Sequence, residues 1–428
     1  MTTSPALVRD AYDVIVIGGG PAGTTVAALV AEQGRSVLVL ERESFPRFHI
    51  GESLIPETYW PLERLGLIPW LKESAYPKKF SVQFFSEGIR PTAPFYFDAY
   101  KMCDSSQTWQ VWRDAFDVKL VENCRDKGAT VVMHAHVTEV IFEGERATGV
   151  RVRLPSDDGA NTSRTISAKV IVDATGQSSF IANRLNLKSP DPALRKGTVW
   201  SYFHNARRDP DPRDNGATLI MQTADKKSWF WFIPLLDNVT SIGCTGAMPY
   251  MFQPGATPEA VFERELDRCP AMRERLTEST RVRDYYTTKD FSYSTKRAAG
   301  DGWVLVGDAF GFIDPIYSSG VFLALKSGEF AADAIIAAFK QNDFSAATLG
   351  TWEATHRAGI EMFRKLVYAF YAPDFSFGMF LKEHPQFRSN VTDILVGDVY
   401  RPEVGDIFAA MGEVVPPSDW GPNYVGAA

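Results

Sequence analysis

Three clusters in the 428-residue chain pair residue type with spacing in a way that could do chemistry. The first is "IGGGPAG", where Gly18, Gly20 and Gly23 stand at G-x-G-x-x-G spacing around Pro21 and Ala22. The first glycine permits a tight turn, the second lets a pyrophosphate approach the backbone, and the third lets a helix pack closely on a strand. Free N–H groups and partial positive charge at the helix start then favour phosphate. The second cluster is Trp229-Phe230-Trp231-Phe232-Ile233-Pro234. On a strand, residues two apart share a face, so both indoles point the same way. The third is the pair Lys78-Lys79, just before the aromatic run "FSVQFF". A lysine buried among aromatic rings has its pKa lowered, which makes its amine chemically useful near neutral pH.

These residues need elements to hold them. "DVIVI" reads as a strand buried on both faces, followed by the glycine turn and a helix. The next strand, "SVLVLE", ends in Glu41, placed to accept hydrogen bonds from ribose hydroxyls. "KVIVDATGQSS" brings Asp173 and Gly176 to a strand end, and "GWVLVGDAF" does the same for Gly307 and Asp308. An Asp at a strand end beside a helix start suits a ribityl or ribose hydroxyl. "QTWQVWRDAFDVKLVENCRDKGA" supplies a strand, then a helix with Phe116, Leu120, Val121 and Cys124 on one face. "HVTEVIFEGERATGVRVRL" is a hairpin. "GATLIMQT", "SWFWFIPL" and "VTSIGCTG" read as consecutive antiparallel strands of a second sheet. Thr257 caps a helix with Pro258 at its first position. From Phe344 onward the pattern is helical and aromatic, a cap over the substrate pocket or, alternatively, a homodimer surface. The tail "VVPPSDWGPNYVGAA" reads as irregular.

Composition excludes several classes. The formal charge of -7 argues against nucleic-acid binding. No apolar run reaches the roughly 18 residues of a membrane span, and no signal-peptide pattern opens the chain. The cysteines, Cys103, Cys124, Cys244 and Cys269, form no Cys-x-x-Cys pair. Neither a metal site nor a disulfide framework is expected, and a cytoplasmic location follows.

From about Tyr12 to about Ala338 the glycine turn, the Asp173 segment and the Gly307-Asp308 segment together resemble the FAD-binding fold of the para-hydroxybenzoate hydroxylase type. The fold class this implies is α/β, a Rossmann-like FAD-binding fold with a second, mostly antiparallel sheet and a C-terminal helical cap. The expected division is 1–75, 105–195 and 290–345 for the FAD module, 76–104 and 196–289 for the substrate-side sheet, and 346–428 for the helical region. Beyond the residues above, the resemblance implies cofactor contacts from Arg42, Arg47, Ser53 and Arg113, the last reaching toward the cofactor phosphates. Glu52 is a further polar group in that apolar loop.

Trp229 to Pro234 matches W-x-W-x-I-P and resembles the hallmark of flavin-dependent halogenases. That resemblance implies that FADH2 and O2 oxidise chloride or bromide to hypohalous acid, which is relayed to an essential lysine. The alignment of "KKFSVQF" puts that lysine at Lys79. It implies a halide held by backbone N–H groups of Ser319 and Gly320, where a helix dipole also favours an anion. Trp229, Trp231, Ile233 and Pro234 would wall the channel between flavin and substrate. Tyr317 stands where tryptophan halogenases carry a Glu, so the likeness is closer to phenol and pyrrole halogenases, some of which act on acyl groups tethered to carrier proteins. Tyr317 is expected near the pocket without a proton-transfer role. The alternative is an aromatic hydroxylase of the same fold, and a more distant one is a flavin reductase of isoprenoid double bonds. A halogenase draws its reduced flavin from a separate NAD(P)H-dependent reductase, whereas a hydroxylase reduces its own. Purified chain with FAD and NADH alone is therefore expected to oxidise NADH only at background rate, and added reductase to start turnover; rapid NAD(P)H oxidation without reductase, with hydroxylated product, would sink the halogenase reading.

Overall fold

The computed structural model describes residues 8–99, 102–155, 161–289, 291–372 and 375–412; the tail read as irregular lies outside them. Its first sheet is built outward from the strand Ala11–Ile17, which pairs in parallel with Val37–Leu40 on one side and Asn161–Asp173 on the other. Val14 to Val16 are completely shielded from solvent, as a strand covered on both faces by helices requires. Thr130–Val132 and Trp303–Leu305 extend the parallel core at its two edges. The hairpin His136–Glu143 and Arg146–Pro155 continues it antiparallel from Asn161–Asp173.

The glycine turn follows the first strand directly, and Pro21–Ala31 is the helix it opens, with a proline at its start. Gly18 has φ of +106°, and a Cβ there would come within 2.4 Å of the Ala174 carbonyl oxygen. A Cβ on Gly23 would stand 2.1 Å from the Gly18 carbonyl oxygen, so only glycine lets this helix lie so close to the strand.

The second sheet has nine strands and carries the tryptophan run at its centre. Ser228–Pro234 pairs antiparallel with both Thr218–Gln222 and Val239–Ala247. Thr218–Gln222 in turn pairs in parallel with Ser81–Ser86. Strand alternation splits the run between two cores. Trp229, Trp231 and Ile233 join the large core beneath the first sheet. Phe230 and Phe232 join a smaller one closed by the helix Pro258–Leu266, which Thr257 caps by accepting from the Ala260 N–H. The lysine pair forms its own short ribbon, with Lys78 opposite Trp109 and Lys79 opposite Thr108. The same alternation leaves Lys78 exposed and turns Lys79 inward.

The long helix Gly320–Gln341 is followed by the C-terminal helices, which run from Glu353–Tyr371 to Ile407–Met411. Glu353–Tyr371 packs on the tryptophan strand: Phe370 meets Trp229 edge-on, with ring centroids 6.2 Å apart. No helix among the described residues is long and apolar enough to cross a membrane.

Gly243 stands opposite Trp231 in the sheet, and a Cβ there would lie 2.2 Å from the indole Cζ2 and 2.5 Å from the Cβ of Trp200. Overpacking at such a point costs about 1–3 kcal/mol. Gly243→Val is expected to lower the thermal unfolding midpoint and alter tryptophan fluorescence; a variant melting with the wild type would show that the indole has room to move.

Candidate active site

A cavity of about 670 Å³ runs along the C-terminal ends of the first sheet's strands and under the second sheet. Open α/β sheets bind ligands at this position. Gly18, Gly20, Pro21 and Ala22 form one end of it, with Glu41 and Arg42 beside them. Gly176, Gly307, Asp308, Arg47, Ser53 and Arg113 also line it. Trp231, Ile233 and Gly320 complete the lining from the second sheet and the helix Gly320–Gln341.

The glycine end fits a pyrophosphate. Nothing but the Arg47 guanidinium stands near Gly20, with Nη2 at 3.6 Å from where a Cβ would be, so a cation overhangs the turn. Glu41 already accepts from the Gly19 N–H at 2.7 Å and the Glu43 N–H at 2.9 Å, which fixes its carboxylate at the cavity edge. Arg113 is more committed: its guanidinium forks onto Asp117 at 2.8 and 3.0 Å and donates to the Ile50 carbonyl at 2.6 Å. It shapes the wall with its donors engaged inside the protein. Burial pushes the Asp308 carboxyl up to about 6, since the charged form has lost its water.

Several expected site residues lie outside the cavity wall. Asp173 is fully buried and serves the backbone: it accepts from the Thr175 hydroxyl at 2.7 Å and the Ile181 N–H at 2.7 Å. It ties the strand end to the next helix and is absent from the cavity lining. Gly23 acts through helix packing. Trp229 is behind the wall, donating its indole N–H to Tyr371 at 2.8 Å, while Trp231 donates to Ser241 at 3.1 Å. The two indoles share a face, with centroids 6.1 Å apart, but only Trp231 reaches the cavity. Pro234 ends the strand. Tyr317 does not line the pocket; it donates its hydroxyl to the Leu366 carbonyl at 3.0 Å, and burial holds its pKa well above the usual phenol value.

Ser319 is buried at the start of the helix Gly320–Gln341, while Ser318 and Gly320 on either side of it face the cavity. The N–H groups of a helix's first turn have no carbonyl within the helix to meet, so this corner presents donors and a positive dipole end.

Lys79 is 2% exposed and sits just behind the wall. Its Nζ donates to Ser53 Oγ at 2.8 Å and to the Leu54 carbonyl at 3.1 Å, and lies 5.6 Å from the centre of the Phe97 ring. Burial alone pushes its pKa down to about 7. Ser53 does line the cavity, so the amine is one hydroxyl away from it.

Sequence reasoning marks Glu52 only as a polar group in an apolar loop and misses Asp314. Glu52, at the wall, accepts from the Tyr202 hydroxyl at 2.6 Å, and burial raises its carboxyl. Asp314 accepts from the Tyr371 hydroxyl and the Ile316 N–H, both at 3.0 Å, and burial pushes it up to about 6. An Asp inside the apolar stretch "GFIDPIYSSGV" was the available signal; Tyr371, in a helix of many aromatics, gave none.

Fold and cavity define a flavoprotein, and the comparisons agree. Residues 11–358 match the family model described as FAD binding domain. A 1H-pyrrole-2-carbonyl-[peptidyl-carrier protein] chlorinase of Pseudomonas fluorescens is 31% identical over 97% of this chain and 95% of its own. The corresponding brominase of Pseudoalteromonas luteoviolacea is 28% identical, covering 90% of this chain and 92% of its own. Among solved structures, a flavin-dependent brominase superposes with a TM-score of 0.83 at 27% identity, covering 94% of this chain and 98% of that one. The myxobacterial chondrochloren halogenase gives 0.79 at 31% identity, covering 96% and 99%. The chain belongs to the flavin-dependent halogenases. It is an FAD-dependent oxidoreductase that uses a halide and O2, and the hydroxylase alternative is not favoured.

The lysine supplies a test of the site by pH. Its pKa is about 7 folded, against 10.5 for the free side chain, so the unfolded chain binds the extra proton between these values. Stability from this group therefore rises as pH climbs through that window, and below it the full cost of a buried ammonium is present. Denaturant unfolding from pH 7 to pH 10 is expected to show wild type gaining on Lys79→Met; parallel curves would place Lys79 in a solvated setting.

Proposed function

We propose that this halogenase acts on an electron-rich phenol or pyrrole presented on a carrier protein, with Lys79 as the group that directs the halogen. The observation that carries this is the lysine itself: a buried amine, without a counter-charge among the described residues, hydrogen-bonded to a residue of the cavity wall. Bound FAD, reduced by a separate reductase, supplies the oxidation of the halide. In this reading Gly18 to Ala22, Arg47 and Glu41 hold its dinucleotide end, and Gly176, Gly307 and Asp308 its middle. Chloride or bromide rests on the amides of Ser319 and Gly320. Trp231 and Ile233 bar the organic substrate from the flavin end of the cavity, and Trp229 braces Trp231 from behind. Lys79 then hydrogen-bonds hypohalous acid and polarises it, or carries the halogen on its amine.

The substrate class rests on two supports. The chlorinase and brominase above are named for pyrrole rings on carrier proteins, and they align over nearly the whole chain. Tyr317 occupies the position of the glutamate in tryptophan halogenases and spends its hydroxyl inside the fold. Phenols and pyrroles lose their ring proton more readily than less activated rings, so the site can do without that carboxylate. The C-terminal helices are proposed as the cap of the substrate side, with dimer formation as the other use of that surface.

The test supplies FAD, reductase, NADH and bromide with phenols and pyrroles, free and carrier-bound, and follows product by mass spectrometry. Brominated carrier-bound product is expected. Lys79→Ala is expected to reduce halogenation by about 100-fold or more while hydrogen peroxide release continues. Surviving halogenation would remove Lys79 from the mechanism; bromination of the free rings alone would remove the carrier.

A further inference from the structure

Behind the cavity wall, the lysine's hydrogen bond to Ser53 is the first of a chain. Ser53 Oγ lies 2.9 Å from Thr218 Oγ1, and Thr218 Oγ1 is 2.9 Å from Gln110 Nε2. Gln110 Nε2 also reaches the Gly216 carbonyl at 2.9 Å. Both hydroxyl residues line the cavity, and Lys79, Ser53, Thr218 and Gln110 are all nearly inaccessible to solvent. They come from four separate parts of the chain: the lysine ribbon, the loop before it, the segment after Trp109, and the first residue of the strand Thr218–Gln222.

Proton counting gives this chain a direction. A backbone carbonyl can only accept, so the Gln110 atom facing Gly216 must be its NH₂. That fixes the amide orientation and makes Gln110 a donor to Thr218. Thr218 cannot return a proton to Gln110, so its hydroxyl proton goes to Ser53 or to the cavity. Ser53 receives a proton from the lysine when the amine is charged, so its own proton points to Thr218. The resting arrangement with an ammonium is then Lys79 to Ser53 to Thr218, with the Thr218 proton left for the cavity.

We propose that Ser53 and Thr218 form a two-hydroxyl proton relay between Lys79 and the cavity, and that Gln110 is the positioning residue that sets its direction. The inference rests on the reading of Lys79 as the halogen-directing group. In one pass the Nζ–H bond breaks as a new O–H bond forms on Ser53. The former Ser53 proton moves to Thr218 Oγ1, and the former Thr218 proton leaves to water or an oxyanion in the cavity. The lysine ends as a neutral amine, each hydroxyl keeps one proton, and one proton has crossed the wall. The reverse pass reloads the amine. Because the Ser53 proton points to Thr218, the route from the buried amine to the cavity runs through both hydroxyls. The cross-strand neighbour Thr108 has a buried hydroxyl without a partner among the described residues and takes no part in the relay.

The experiment compares wild type, Thr218→Val, Thr218→Ser, Gln110→Leu and Lys79→Ala as FAD-loaded enzymes. It measures the ratio of brominated product to hydrogen peroxide in H2O and in D2O, with thermal unfolding as the check on folding. Valine keeps the shape and removes the hydroxyl; serine restores it. Thr218→Val is expected to lower the ratio by about 100-fold, the usual size of a lost proton-transfer group, and to abolish the wild-type solvent isotope effect on it. Thr218→Ser is expected to recover both, and Gln110→Leu to lose most of the isotope effect. A Thr218→Val enzyme with the wild-type ratio and isotope effect overturns the relay, as does a serine variant that folds but recovers neither. Lys79→Ala separates the two ideas. Halogenation that survives there sinks the reading of the lysine, whereas halogenation lost there but kept in Thr218→Val sinks the relay alone.

Discussion

A single buried amine organises this site. Lys79 is buried with no carboxylate beside it among the described residues, where its polar partners are a serine hydroxyl and a backbone carbonyl. Burying an unpaired cation is costly, and the protein relieves that cost by letting the amine lose its proton near neutrality. Such a group holds its place only if its strand is rigidly set. The ribbon with Thr108–Trp109 supplies one support. The turn before Thr218 supplies another: a Cβ on Gly216 would lie 2.0 Å from the Lys78 carbonyl oxygen, so the two backbones are in direct contact.

The tryptophan strand is where the protein's two cores meet. One face of it belongs to the flavin side, and the other is filled by phenylalanines that anchor it to the helix Pro258–Leu266. The wall of the cavity is thus a central strand held from both sides, with neighbours on each edge. Asp314 adds a further tie. Through Tyr371 it joins the loop before the helix Gly320–Gln341 to the helix Glu353–Tyr371, and through the same hydroxyl to Trp229.

Much of this was legible in the sequence because its signals are local. The glycine turn, the strand ending in Glu41 and the three antiparallel strands depend on spacing and alternation, which a chain carries in its own order. Alternation also separates Lys78 from Lys79, once the strand is known to begin there. What failed was local reasoning applied to side-chain direction. Asp173 stands at a strand end, as a ribose-binding residue would, yet the N–H of Ile181 and the Thr175 hydroxyl claim its oxygens. Trp229 shares a face with Trp231, but a tyrosine more than a hundred residues away draws it behind the wall. Glu52 with Tyr202, and Asp314 with Tyr371, are pairs made by tertiary packing, and no spacing announces them.

The material of the wall has a consequence of its own. Indole is itself an electron-rich ring, open to the same electrophile the enzyme makes. If the halogen passes Trp231 as proposed, the path is lined with something the oxidant can damage. Trp229 is sheltered, with its N–H spent on Tyr371 and its ring out of the cavity. Trp231 is not, and its safety depends on where the halogen is released. Under the proposed role of Lys79, release of the oxidant at the amine would protect the catalyst as well as the selectivity of the reaction, and the lifetime of the enzyme would follow from the same geometry as its chemistry.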